Sequence, residues 1–190
     1  MNNAKSDPLF QPIRLGALAC PNRIAMAPLT RARATQPGDV PNEMMALYYA
    51  QRASAAFLDS EATNISPMAQ GFAQTPGIYS DEQVEGWKKV ANAVHAAGGR
   101  IVMQLWHVGR NSHEKLLRGN QPLSASDSVS PSRAWIIDDD GKGKAVESTP
   151  ARAMTLEEIR STIRDYALAA ERAISAGLDG VEIHGANTYL

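Results

Sequence analysis

His184 and Asn187 stand either side of Gly185-Ala186, and Tyr189 follows two places on. An imidazole and a carboxamide are two neutral hydrogen-bond donors, able to steady negative charge as it develops. A phenol with an ordinary pKa of about 10 stays protonated at neutral pH and is a candidate acid. The preceding run, Leu178-Asp179-Gly180-Val181-Glu182-Ile183, reads as a short strand, so the three groups gather just past its C-terminal end. In parallel α/β folds that end is where chemistry is done. Parity places Glu182 and His184 on one face of this strand. A second group lies in the apolar stretch 100–106. Alternation puts Val102, Gln104 and Trp106 on one face and Ile101, Met103 and Leu105 on the other. A carboxamide turned into a core must find partners or cost about 1–3 kcal/mol. Gln104 therefore bonds either a neighbouring strand or a ligand edge. Thr30, two residues after Pro28, either closes a local turn or offers its hydroxyl to a carbonyl of a flat ring.

The elements that must position these groups follow a regular order. Residues 9–18 alternate loosely around Pro12 and Gly16, which suits a small hairpin. Residues 23–29 form a short apolar strand that Pro28 should end. Asn42 caps a helix over 43–54. Residues 56–62 read as a second strand. Ser80-Asp81-Glu82-Gln83 is a capping box, and Val84, Trp87, Val90, Ala91 and Val94 then recur at helical spacing as far as Gly98-Gly99. The strand at 100–106 follows. The polar stretch 109–152 is longer than an ordinary connection and reads as a long loop or insertion. Thr155-Leu156-Glu157-Glu158 is a second capping box. It opens a helix with Ile159, Ile163, Tyr166, Ala167, Ala170 and Ile174 on one face, ending at Gly177. The last strand is 180–184. Strands alternating with helices of this length imply parallel pairing with right-handed crossovers. A Gly-x-Gly-x-x-Gly turn after the first strand, the mark of a dinucleotide fold, is missing from the sequence. A (β/α)8 TIM barrel fits better, and four strands are half of one.

Composition narrows the function classes. Of 190 residues 44% are hydrophobic, which suits one domain with a sizeable core. The formal net charge is −1, so there is no electrostatic case for nucleic acid or for an anionic membrane. Cys20 is the one cysteine; alone it makes neither an internal disulfide nor a zinc site. A reducing, cytoplasmic location and no metal are the expectation. No apolar run nears the roughly 20 residues of a membrane span, and residues 1–7 lack the apolar core of a signal peptide.

Several stretches, in order along the chain, resemble the old yellow enzyme family of FMN-dependent ene reductases. They include Met26-Ala27-Pro28-Leu29-Thr30-Arg31, Tyr48-Tyr49-Ala50-Gln51-Arg52-Ala53 and Ser60-Glu61-Ala62-Thr63. Pro76-Gly77-Ile78-Tyr79-Ser80-Asp81, Gln104-Leu105-Trp106-His107-Val108-Gly109-Arg110 and Glu182-Ile183-His184-Gly185-Ala186-Asn187 continue the likeness. The resemblance implies a TIM barrel and reduction of an alkene conjugated to a carbonyl or nitro group. NADPH or NADH would supply hydride through FMN. It implies that Pro28, Leu29, Thr30, Ala62, Gln104 and His184 contact the flavin. His184 and Asn187 would bind the activating oxygen of the substrate, Tyr189 would protonate its α-carbon, and Trp106 would shape the substrate pocket. Without the resemblance, His184 and Asn187 read equally as a structural histidine and a turn residue, and Trp106 as barrel core. His107 is assigned no chemistry. Asn187, with no clustered cysteines, argues against the related iron–sulfur dienoyl reductases.

Two positions depart from the family pattern. Thr188 stands where glycine is usual, and a left-handed turn there would displace Tyr189. Asp59 stands at a usually aliphatic place, where a buried carboxylate must raise its pKa or find a basic partner. The likeness runs to mid-barrel, so the chain is expected to supply the first four β/α units and an N-terminal hairpin. FMN binding and activity are then expected to need a complementing C-terminal half-barrel or self-association. The alternative is a non-catalytic half-barrel that self-assembles or binds a partner.

Overall fold

The computed structural model describes residues 7–190; the signal-peptide reading at 1–7 falls, but for Asp7, outside them. The hairpin is present with shifted bounds. Strands β1 (Ile13–Leu15) and β2 (Leu18–Cys20) pair antiparallel, Leu15 opposite Leu18. Helix α1 spans Glu43–Ala50, with Asn42 Oδ1 accepting from the Met45 amide at 3.1 Å. It ends earlier than expected, in turns through 51–54.

The central sheet is parallel. Strands β3 (Leu58–Asp59) and β4 (Thr63–Asn64) both pair with β5 (Ile101–Trp106), and β10 (Gly180–Ile183) pairs with its other edge. The segment 23–29 does not form a full strand. It contributes one parallel bridge, Met26 to Leu58, with the Met26 amide on the Phe57 carbonyl at 3.0 Å. Pro28 and its neighbours leave the ladder there. The spatial order is thus the chain order of a barrel wall.

The second predicted strand is split by a bulge. Leu58 faces Ile101 and Thr63 faces Leu105, so five steps on one strand match four on the other. The extra residue breaks the alternation. Ser60 Oγ fills the gap by accepting the Gln104 amide at 3.2 Å, and the Tyr49 hydroxyl accepts the Glu61 amide at 2.7 Å. Asp59 and Ala62 consequently both turn to the inner side of the sheet, three positions apart.

Helices α2 (Asp81–Ala96) and α3 (Leu156–Ser175) both open with complete capping boxes, at Ser80/Gln83 and Thr155/Glu158. With α1 they cover the outer side of the sheet, where Leu58, Ile101, Met103 and Leu105 meet Tyr49, Trp87, Val90 and Ala173. The apolar face of α3 is rotated from the one expected: Tyr166 and Ala170 do pack against the core. Its buried residues include Ala169 and Ala173, while Ile163 and Ile174 are 63% and 55% exposed. Small alanines let the helix lie close to the sheet, and the isoleucines then point outward.

Residues 109–152 hold regular structure rather than one loop. Strands β6 (Leu123–Ser124) and β9 (Arg152–Ala153) pair parallel, and β7 (Arg133–Ile137) pairs with β8 (Gly143–Glu147) as an antiparallel hairpin. Its turn is tied by Asp138 Oδ1, which accepts from the Asp140 and Lys142 amides at 3.1 and 2.8 Å. No helix among the described residues is long and apolar enough to cross a membrane.

Candidate active site

The inner side of the sheet, opposite the helices, carries the chemistry. Trp106 closes β5 and is buried between three rings and two aliphatic groups. Phe72 stacks on it at 5.7 Å between centroids, Tyr189 meets it edge-on at 5.1 Å, and His184 lies nearly parallel to it at 6.5 Å. Ala62 and Val108 complete this cluster. His184 and Tyr189 also touch, edge to face, at 5.1 Å. The strands position these groups directly. The His184 amide continues the β10–β5 ladder by donating to the Leu105 carbonyl at 3.0 Å, which sets the imidazole beside Trp106.

The protonation states follow from the surroundings. Desolvation lowers the His184 pKa, against a smaller opposing effect of Glu182, so the imidazole is neutral at neutral pH. Its Nδ1 accepts the Ala186 amide at 3.4 Å. The ring proton therefore sits on Nε2, which is left to donate. Burial raises the Tyr189 pKa, so its phenol holds its proton more firmly than a free tyrosine. A neutral donor and a firmly protonated acid stand side by side.

Gln104 lies one turn of the pleat below Trp106, on the same face. Its Nε2 donates to Glu182 Oε1 at 2.7 Å. Its Oε1 accepts no hydrogen bond among the described residues and is free for a donor such as an imide N–H. Glu182 also meets Asp59. Desolvation first, then the hydrogen bond and charge of Glu182, push the Asp59 carboxyl up to about 8. The hydrogen bond from Asp59, above all, holds Glu182 below the usual range. Of the outcomes open to Asp59, the raised pKa is the one taken, and its partner is acidic rather than basic.

Thr30 is exposed, as is Leu29, while Pro28 is half-buried. None of the three touches the aromatic cluster directly. They are held near Ala62 through the next residues: Glu61 Oε2 accepts the Arg31 and Ala32 amides at 2.9 and 3.0 Å. Asn187 is exposed, at φ +58°, with its carboxamide free of protein hydrogen bonds among the described residues. Thr188 does take the left-handed conformation, at φ +63°. Such a residue costs roughly 1–2 kcal/mol when it is not glycine. Tyr189 lies against Trp106 all the same, and Asn111 Nδ2 donates to Thr188 Oγ1 at 3.0 Å and to its carbonyl at 3.4 Å.

Two residues that bear on this cluster, Phe72 and Asn111, carry little mark in the sequence, and His107 is a buried neighbour. Phe72 carried no signal beyond being an isolated aromatic. Asn111 sits in a polar run that reads as loop. His107 is buried, its Nδ1 accepting the Gly109 amide at 3.0 Å, and burial lowers its pKa to about 4.

A flat redox ring fits these groups. Gln104 offers an amide oxygen and Thr30 an exposed hydroxyl, each without a donor or partner among the described residues, and Ala62 is a small side chain beside Trp106. The likeness to known proteins points to the same cofactor. The family described as NADH:flavin oxidoreductase / NADH oxidase matches residues 8–190. The flavin oxidoreductase hxnT of Emericella nidulans is 48% identical over 188 residues, covering 97% of this chain and 47% of that protein. The structure of morphinone reductase in complex with tetrahydroNAD superimposes with a TM-score of 0.93 at 48% identity, over 97% of this chain and 51% of that one. An old yellow enzyme homologue from Zymomonas mobilis does so at 0.90 and 49% identity, over 97% and 50%. The chain thus spans about half the length of the proteins it matches. A parallel wall whose inner face and strand ends carry this set of groups, matched along nearly its whole length, belongs to the old yellow enzymes, the NADH:flavin oxidoreductase / NADH oxidase family, whose members use FMN with NADH or NADPH.

Proposed function

We propose that this chain carries the substrate-binding and proton-donating face of an FMN-dependent ene reductase acting on alkenes conjugated to a carbonyl or nitro group. The observation that carries the reading is the contact of a neutral His184 with a protonated Tyr189 against Trp106. FMN, when bound, supplies hydride to the β-carbon after recharging by NADH or NADPH. His184 Nε2–H and the Asn187 amide then hold the activating oxygen as negative charge collects on it, each donor being worth roughly 3 kcal/mol. The Tyr189 hydroxyl delivers a proton to the α-carbon. Trp106 and Phe72 limit the space beside it. Gln104 Oε1 would accept from the flavin while Glu182 holds its amide nitrogen. Thr30, the backbone of Pro28 and Leu29, and Ala62 would help to hold the same cofactor.

Completion of the barrel belongs to this proposal. Ile183 is 66% exposed on β10, and α3 exposes Ile163 and Ile174. Apolar faces of this kind call for cover, by further barrel units, a second polypeptide or a second copy. The single thiol suits a cytoplasmic enzyme. The test is a titration of FMN into the purified chain, with and without a C-terminal half-barrel from a relative, followed by visible absorbance. NADPH oxidation is then assayed with 2-cyclohexenone. Saturable binding and enone reduction in the complemented protein are expected. No flavin uptake in either sample would refute the reading.

A further inference from the structure

Two left-handed residues in succession, Asn187 and Thr188, carry the chain from His184 round to Tyr189. A β-branched side chain rarely takes that conformation unaided. The group that reaches Thr188 from outside the turn is Asn111. Its Nδ2 donates to Thr188 Oγ1 at 3.0 Å and to the Thr188 carbonyl at 3.4 Å. That carbonyl belongs to the peptide plane leading into Tyr189, so binding it fixes the direction in which Tyr189 departs.

Asn111 is itself fixed. It is 2% exposed. Its Oδ1 accepts from Ser130 Oγ, and Ser130 Oγ in turn accepts the Ser132 amide at 2.9 Å, at the foot of the β7–β8 hairpin. With its oxygen engaged by a hydroxyl, the carboxamide presents its donor end to Thr188 and no other. Its own amide donates to the Val108 carbonyl at 3.1 Å, two residues beyond β5. The sheet and the hairpin thus both bear on the turn through one side chain.

We propose that Asn111 is a positioning residue for Tyr189: it clamps Thr188 in the left-handed region and so keeps the phenol against Trp106 and His184. The clamp itself requires no flavin. Only its consequence for turnover rests on Tyr189 as the proton donor.

The test is a cycle of Asn111→Ala, Thr188→Gly and the double variant, read by NMR of the chain with labelled tyrosine. The Tyr189 resonance is assigned by its loss in Tyr189→Phe. Edge-on contact with Trp106 displaces the Tyr189 ring signals. That displacement should vanish in Asn111→Ala, persist in Thr188→Gly, and return in the double variant, because glycine takes positive φ without help. If Asn111→Ala does not fold, Asn111→Leu, of similar size but with neither donor nor acceptor for Thr188, serves in its place. An unchanged Tyr189 signal in the Asn111 variant, or no recovery in the double variant, overturns the proposal. In the FMN-loaded, complemented enzyme, Asn111→Ala should lower alkene reduction by as much as the ~10²–10⁴-fold that a general acid contributes, and Thr188→Gly should restore it. If Tyr189→Phe leaves turnover intact while the NMR cycle behaves as expected, the proton-donor reading fails and the clamp stands.

Discussion

Asp59 on β3 and Glu182 on β10 meet across the intervening strand β5, where desolvation and then the Glu182 carboxyl push Asp59 up while Asp59 holds Glu182 down. The pairing has a pH signature. Asp59 titrates at about 8 in the folded chain against 3.8 ordinarily. Between those values the folded state holds a proton that the unfolded state has released. Stability from this group is therefore complete below pH ~4 and is lost as pH rises through about 8. Glu182, shifted the other way, contributes stability that is present above its ordinary pKa and lost as pH falls, so it opposes the Asp59 trend only at the acid end. Asp59→Asn removes the titration. Urea denaturation from pH 5 to 9 should show wild type falling relative to Asp59→Asn, and parallel profiles would dismiss the raised Asp59 pKa.

His107 gives the opposite slope. Its pKa of about 4 against 6.5 means that the unfolded chain binds a proton first as pH falls. Stability from the neutral imidazole is present above pH ~6.5 and drains away down to about 4. His107→Gln should flatten the acid limb of the stability profile between pH 6.5 and 4. An acid limb unchanged by that substitution would show that the imidazole titrates normally.

These two groups also show what local sequence can convey. The inward and outward faces of β5 were legible because strand alternation has a period of two residues and needs no partner. Both capping boxes were legible because their bonds close within four residues. The bulge at 60–62 was not, since an extra residue is defined only by the register of the strand opposite. The outward isoleucines of α3 were hidden because periodicity marks a stripe but not which part of it a sheet will accept. The hairpin at 133–147 was obscured by the charged turn Asp138-Asp139-Asp140. Of the candidate site, the groups on strand ends were readable, whereas Asn111 reaches Thr188 across 77 positions and leaves no local mark.

The amide of Gln104 has one end engaged by Glu182 and one end free. Gln104→Leu removes the acceptor offered to the ring and leaves an apolar group of similar size. A lost buried hydrogen bond of about 1–3 kcal/mol weakens FMN binding roughly 5- to 150-fold in the complemented protein. Flavin fluorescence titration measures it directly. An unchanged dissociation constant would remove Gln104 from the cofactor site.

Tyr189→Phe and His184→Ala separate the two roles proposed for the aromatic cluster. Loss of the phenol should slow alkene reduction by ~10²–10⁴-fold while flavin reduction by NADPH keeps its rate. Loss of the imidazole should weaken binding of the activated alkene and slow its reduction by ~10²–10³-fold. Stopped-flow absorbance resolves the two half-reactions. Equal slowing of both half-reactions by Tyr189→Phe would argue for a packing role alone.

The bulge that turns Ala62 toward Trp106 is held from the helix side. The Tyr49 hydroxyl accepts the Glu61 amide at 2.7 Å, and Glu61 in turn holds the Arg31 and Ala32 amides. Tyr49 is fully buried, so no water replaces its hydroxyl in Tyr49→Phe. The Glu61 amide is left unpaired, at a cost of about 1–3 kcal/mol. The carboxyl of Glu61, already raised by burial, loses one of the bonds that pull it down and should rise further. Ser80→Ala, which removes only the α2 cap and costs about 1 kcal/mol, is the control for a change far from the bulge. Both variants lower the urea midpoint. Tyr49→Phe alone should also change the near-ultraviolet circular dichroism of Trp106, because the bulge sets the packing of Ala62 on that ring. If the two variants share one aromatic spectrum, the bulge is held by the backbone ladder and not by Tyr49.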